Sequence, residues 1–113
     1  MEIEILVVPD CPHQQLAESR LREALDDLAL DDVGLAGTGF TTRVVGGQLE
    51  AERSGFTGSP TFLVDGRDPF AEPGVPPSLA CRVYRTPGGL AGVPEVGQLV
   101  KVLRAAVDTG GGV

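Results

Sequence analysis

The sequence predicts an α/β sandwich, with helices on both faces of one mixed sheet of about four strands. Strand-like and helical hydrophobic patterns alternate along the chain in the order β-α-β-α-β-β-α. The 113 residues suffice for one core, and the apolar fraction of 42% is ordinary for a globular protein. We therefore expect one domain over residues 1–108, followed by a disordered tail at 109–113.

The first half of the chain predicts a β-α-β unit. Residues 2–8, EIEILVV, are rich in β-branched side chains and stop at a proline, as a buried strand does. Apolar residues then recur at helical spacing from residue 12 to about residue 29, opposite a polar face. Residues 40–45, FTTRVV, form a second β-rich run. Such crossovers are almost always right-handed, so we expect the first two strands to be parallel.

The second half adds two predicted strands and two predicted helices. A short helix at 48–55 ends near a glycine, and TFLV at 61–64 predicts a third strand closed by the turn DGRD. The proline-rich stretch 68–78 has no period and predicts a surface loop. ACRVYR at 80–85 predicts a fourth strand, and 94–107 predicts a final amphipathic helix.

The charge of the chain argues against polyanionic partners. The formal net charge is −7 and the pI about 4.5, whereas binding to nucleic acid or an anionic membrane depends on clustered lysine and arginine. The start MEIEILVV lacks the features of a signal peptide, and no apolar run reaches membrane-spanning length. We expect a cytoplasmic protein, with its thiols reduced. The sequence leaves its oligomeric state open.

The stretch PDCPHQQ at 9–15 places a cysteine where the first strand gives way to a helix. Cys11 is predicted at or beside the N-cap, with Pro12 as the first helical residue. The free N–H groups and positive dipole end of that helix would favour the thiolate. His13 would add to this effect if protonated, and Asp10 would oppose it. Alternatively, Cys11 is a small buried residue and His13 an ordinary surface residue.

The stretch CPHQ at a helix start and the later GFTGSPTFLVDG together resemble the thioredoxin-like superfamily, over residues 2–107. The resemblance implies a three-layer thioredoxin-like sandwich, with Cys11 of the CPxx motif as nucleophile and Pro60 as the cis-proline facing it. The alternative for Pro60 is a trans proline that begins a strand. More narrowly, the chain is similar to small bacterial thioredoxin-family proteins with a CP motif and a later CRVYRT segment. Some of these are labelled as related to alkylmercury lyase.

Gln14 stands where dithiol members of that family carry the resolving cysteine. A local Cys-x-x-Cys disulfide is therefore impossible, and monothiol chemistry at Cys11 remains. Cys81 is the other thiol. Alternation in the predicted fourth strand puts it on the face of Val83 and favours a core position, with a resolving or metal-binding role as the alternative. The family's sheet order places that strand away from the first, so we expect no direct bridge to Cys11.

Three functions follow from these residues. The leading one is thiol-disulfide exchange at Cys11 with a disulfide-containing protein or a low-molecular-weight thiol, in which Pro60 shapes the docking surface. The second is binding of a soft metal or an organomercurial by Cys11 with Cys81 or His13, although their number and spacing do not make a closed zinc site. The third is a binding module without redox chemistry. No cofactor is predicted, since the glycine-rich TPGGLAG at 86–92 matches no phosphate-binding fingerprint.

Overall fold

The computed structural model describes residues 1–111 and has a mixed α/β fold. The elements in chain order are strand β1 (Ile3–Val7), helix α1 (Gln14–Asp31), a 3-10 turn (Val33–Leu35), strand β2 (Thr41–Val44), helix α2 (Gln48–Ser54), strand β3 (Thr61–Val64), strands β4 (Tyr84–Thr86) and β5 (Gly89–Ala91), and helix α3 (Val96–Gly111).

The main sheet has three strands in the order β2-β1-β3, with β1 in the centre. β1 pairs with β2 in parallel, which confirms the predicted β-α-β unit. It pairs with β3 in antiparallel register, with Ile3 opposite Val64 and Leu6 opposite Thr61. The central strand is the most apolar of the three, as expected for a strand paired on both edges.

The two faces of the sheet carry separate apolar clusters. Alternate residues of β1, Ile3, Ile5 and Val7, pack with the buried faces of α1 and α3. Leu6 points to the opposite face, where it packs in a smaller cluster near α2. The helices therefore cover both faces of the sheet, as the sandwich prediction requires. The residues of that smaller cluster are Leu6, Val45, Ala51 and Phe56.

The helix boundaries follow local signals in the sequence. Helix α2 ends at Gly55, whose φ of 70° is in the left-handed region that glycine tolerates. Helix α3 runs to Gly111, so it includes residues 109–111 of the predicted tail, and residues 112–113 lie outside the described part of the chain. No helix within residues 1–111 is both long enough and apolar enough to cross a membrane.

The predicted fourth strand at 80–85 is wrong, and the main sheet has three strands rather than four. Residues Tyr84–Thr86 pair instead with β5 in a separate two-stranded hairpin, because the glycine-containing turn between them allows local antiparallel pairing. Before this hairpin, Cys81 forms an isolated parallel bridge with Ser59. Cys81 is exposed, so its predicted core position is also wrong.

Candidate functional site

Cys11 lies in the connection between β1 and α1, close beneath the surface. Its exposed fraction is 9%, and it packs in the apolar cluster of β1 and α1. The chain reaches it through Asp10, whose φ of 57° is a left-handed conformation that aspartate tolerates better than most residues. This turn carries the chain from the end of the central strand to the start of the helix.

The helix begins later than predicted. His13 is the N-cap and Gln14 the first helical residue, so Cys11 lies two positions before the cap and Pro12 is not in the helix. The Gln14 N–H donates to the Cys11 carbonyl at 3.3 Å, which closes a turn with Pro12 in its second position. Proline is favoured there because its fixed φ suits that position. The prediction failed because a proline after cysteine suits a turn as well as a first helical residue.

Ser59 provides the polar contact to the Cys11 sulfur. Its side chain is fully buried, and its hydroxyl donates to Cys11 Sγ at 2.9 Å. The same oxygen accepts the N–H of Val8 at 3.1 Å. A backbone N–H can only donate, so this contact occupies an acceptor position of the serine and leaves its single proton for the sulfur. The two contacts give the serine hydroxyl a defined direction.

The peptide bond between Ser59 and Pro60 is cis, as predicted. Pro60 is buried, and its carbonyl accepts a hydrogen bond from the hydroxyl of Tyr84. Burial raises the pKa of Tyr84 above its ordinary value; the nearby Arg82 guanidinium lowers it, and Asp68 raises it further, both by less. Tyr84 therefore keeps the proton that it donates to Pro60. The contact with Cys11 is made by Ser59, the residue before the proline.

His13 contacts the connection between β5 and α3. Its ring lies against Gly92, where a Cβ atom would be 2.6 Å from His13 Nε2. Arg20, about two turns further along α1, donates to the carbonyls of Val93 and Pro94 at 3.2 and 2.9 Å. The start of α1 is thus attached to the loop at 92–94 by a ring contact and by a guanidinium.

Cys81 lies on the other side of Ser59 from the main sheet. The Ser59 N–H donates to the Ala80 carbonyl at 2.9 Å, and the Arg82 N–H donates to the Ser59 carbonyl at 3.0 Å. These two bonds define the parallel bridge between Ser59 and Cys81. The segment that carries the second thiol thus lies beyond the β3 side of the sheet, away from β1, as the sequence led us to expect, and it lies against the loop that contacts Cys11.

Two further features hold residues 80–82 in this place. Gly58 has a φ of 133°, and a Cβ atom there would be 2.9 Å from Arg82 Cβ and 3.2 Å from the Ala80 carbonyl oxygen. Only glycine permits so close an approach in that conformation. On the opposite side, the Arg82 guanidinium forms a buried ion pair with Asp68 at 2.7 Å and donates to the Phe70 carbonyl at 2.7 Å.

The structure places Cys11 against Ser59, a residue that the sequence analysis missed, whereas His13 faces the loop before α3. Cys11 and Pro60 are joined through Ser59, while His13 is joined to Gly92. Ser59 carried one sequence signal, its position directly before the predicted cis-proline. Within residues 1–111, no group of three or more histidine, cysteine or acidic side chains is arranged to hold a metal ion.

A buried thiol with a hydroxyl donor is suited to chemistry in which sulfur gains negative charge, because hydrogen bonds to an ionised group are stronger than those to a neutral one.

Comparison of the chain with protein-family models, with curated proteins and with solved structures finds no match.

Proposed function

We propose that this protein carries out thiol-disulfide exchange, with Cys11 as the attacking thiol. The observation that carries the proposal is the hydrogen bond of 2.9 Å from the Ser59 hydroxyl to Cys11 Sγ. In the reaction, the Cys11 thiolate attacks a disulfide, a mixed disulfide forms, and the other half of the substrate leaves as a thiolate that takes up a proton. Thiolates rather than thiols attack disulfides, and the Ser59 hydroxyl lies where it can donate to the sulfur that carries the charge.

The surroundings of Ser59 support a defined role for its hydroxyl. Because Val8 N–H occupies its oxygen as an acceptor, the hydroxyl proton is directed at sulfur in the resting protein. Ser59 is fully buried, so water does not compete for this hydrogen bond. A hydrogen bond to a charged group in such surroundings contributes about 1.5–3 kcal/mol.

The fold is consistent with a thioredoxin-like interpretation. A central parallel β-α-β unit, an antiparallel third strand preceded by a cis-proline and a cysteine between the first strand and first helix are the features on which that resemblance depends. We place the reaction in the cytoplasm, where free thiols persist. The substrate is a disulfide-containing protein or a mixed disulfide of a low-molecular-weight thiol; with a net charge of −7, we propose neither a nucleic-acid nor a membrane partner.

The test compares Cys11 in the folded protein with the same cysteine in an unstructured peptide. In a Cys81→Ser background Cys11 is the sole thiol, so the release of coloured thiol from an aromatic disulfide reports its reaction alone. The control is a peptide of residues 8–15, which has the same neighbours in sequence but no Ser59. We expect Cys11 in the protein to react about threefold faster or more, because a thiolate stabilised by about 1.4 kcal/mol is about tenfold more abundant but less nucleophilic.

A second variant shows whether Cys11 is the sulfur that reacts with the disulfide. Cys11→Ser in the same background should form no mixed disulfide, while its circular dichroism stays that of the folded protein. If Cys11 in the folded protein reacts more slowly than in the peptide, burial outweighs activation and the exchange reaction is refuted. That result would favour a binding module in which Cys11 is a packing residue.

A further inference from the structure

We infer that Cys81 is the resolving thiol of Cys11, so that one turnover leaves an intramolecular disulfide between these two residues. This inference rests on the proposed function, because it concerns the fate of the mixed disulfide formed at Cys11. Gln14 stands where a Cys-x-x-Cys motif has its second, resolving cysteine. Cys81 is the other of the chain's two cysteines and would take over that resolving role.

The position of Cys81 relative to Ser59 carries the inference. Partners in a bridge lie one strand spacing apart, about 4.8 Å, and project their side chains to the same side of the pair. Ser59 projects its hydroxyl to Cys11 Sγ, at 2.9 Å. Cys81 is the bridge partner of Ser59, so the two side chains are neighbours on the same side of the sheet edge. Ser59 lies between the two thiols.

The two cysteines also differ in a way that suits their roles. Cys11 is nearly buried and receives the serine hydrogen bond, whereas Cys81 is exposed. A cavity of about 240 Å³ adjoins Cys81. Its lining includes Thr57, Phe70, Val75, Cys81 and Tyr84.

Closure requires a movement that competes with the contacts of residues 80–82, which include the buried ion pair of Arg82 with Asp68. A disulfide needs its two Cα atoms within about 7 Å, so closure brings residues 80–82 and the turn before α1 together. Residues 80–82 follow the irregular, proline-rich stretch 68–78, and two backbone hydrogen bonds hold them to Ser59. The new bond replaces the contact between the Ser59 hydroxyl and the Cys11 sulfur.

The resolving step balances without a further reactant. The mixed disulfide Cys11–S–S–R is attacked at the Cys11 sulfur by the Cys81 thiolate, whose proton has gone to solvent. The Cys11–Cys81 bond forms, the bond from Cys11 to the substrate sulfur breaks, and R–S⁻ leaves and is protonated. Over both steps, two cysteine thiols are oxidised to one disulfide and one substrate disulfide is reduced to two thiols.

The test treats reduced protein with less than one equivalent of the aromatic disulfide and follows coloured thiol and protein mass. The native protein should release two thiols per reagent molecule and lose two hydrogens in mass. A tryptic digest without reductant should then link peptide 1–20 to peptide 68–82. Cys81→Ser should release one thiol and keep the reagent on Cys11.

A matched control moves the second thiol along the same exposed face. Val83 is 61% exposed and two residues from Cys81, so Cys81→Ser with Val83→Cys keeps two thiols but separates the second from Ser59. This variant should retain the adduct. Linked thiols reach effective concentrations on the order of millimolar, so at about 10 µM protein the native closure should exceed intermolecular exchange about 100-fold.

The possible outcomes separate the two ideas. If the native protein keeps the reagent on Cys11 as Cys81→Ser does, or if Val83→Cys resolves it equally fast, the resolving role is refuted while exchange at Cys11 stands. If Cys11 takes up no reagent even in Cys81→Ser, both the proposed function and this inference are refuted.

Discussion

Replacing Arg82 by methionine tests how the segment that carries Cys81 is held. Two of the ion pairs in the structure have similar lengths, but one is buried and the other is exposed. Arg82 and Asp68 approach to 2.7 Å with side chains 9% and 10% exposed, whereas Arg104 and Asp31 approach to 2.9 Å with side chains 51% and 66% exposed. Methionine keeps the apolar stem of arginine and removes the guanidinium, which in Arg82 also donates to Thr61 and to the Phe70 carbonyl, so the comparison contrasts a buried guanidinium and its contacts with an exposed one.

The expected loss follows from the contacts that remain. Removing one partner of a buried pair usually costs about 3–5 kcal/mol because the other charge stays buried. In the variant, the Phe70 N–H still donates to Asp68 at 2.9 Å, so we expect the lower end, about 3 kcal/mol. The exposed pair should contribute no more than about 1 kcal/mol. A domain of this size has a total of about 5–15 kcal/mol, so Arg82→Met should be visibly destabilised.

Urea unfolding followed by far-ultraviolet circular dichroism measures both variants. With a slope of about 2 kcal/mol per molar, Arg82→Met should lower the midpoint by about 1.5 M, and Arg104→Met by less than about 0.5 M. Equal midpoints for the two variants would refute the reasoning, since they would show that water reaches Arg82 as freely as Arg104.

Three other predictions concern the site itself. Ser59→Ala in a Cys81→Ser background should slow the reaction of Cys11 with a disulfide about threefold or more, because the sulfur loses its donor; an unchanged rate would show that the contact does not act on reactivity. Gly92→Ala puts a Cβ atom 2.6 Å from His13 Nε2, so the ring must turn away at a cost below about 1 kcal/mol. The ring resonances of His13 should shift in NMR spectra, and identical spectra would contradict the contact. The pKa of Tyr84 is raised by burial, so its contribution to stability is complete below the unfolded value of about 10 and is lost as pH rises above it. Phenolate absorbance, which comes from this one tyrosine, should appear together with loss of circular dichroism; phenolate in a folded protein near pH 10 would refute this.

The sheet and helices of residues 1–64 could be predicted because local signals and tertiary structure agree there. β1 is apolar in four of its five residues and ends near Pro9, and α2 ends at Gly55 in a left-handed conformation. After Val64 this agreement fails. In residues 80–85 the charged Arg82 is buried by its ion pair while the apolar Val83 is exposed, so the alternation of polarity indicates the wrong face.

The cysteine of the site could be predicted from the sequence, but the serine hydroxyl that donates to its sulfur could not. Cys11 could be predicted from its position before a helix, whereas the cis-proline assignment of Pro60 came from the resemblance of GSPT to the cis-proline loop of the thioredoxin-like superfamily. The role of Ser59 depends on an approach to Cys11 across 48 residues of sequence, which no local pattern encodes. The place of Cys81 similarly depends on Gly58, whose missing side chain matters only once residues 80–82 lie against it.

The central position of β1 has a consequence for the order in which the chain is made. β1 is synthesised first, but its last residue, Val7, pairs with Val44, and its first, Ile3, pairs with Val64. At about 5–20 residues per second, the 20 residues from Val44 to Val64 take about 1–4 s to translate. Throughout that interval one edge of the most apolar strand presents free N–H and C=O groups, the kind of edge that recruits other chains. A nascent chain of this protein thus needs shielding at its first strand until β3 has emerged.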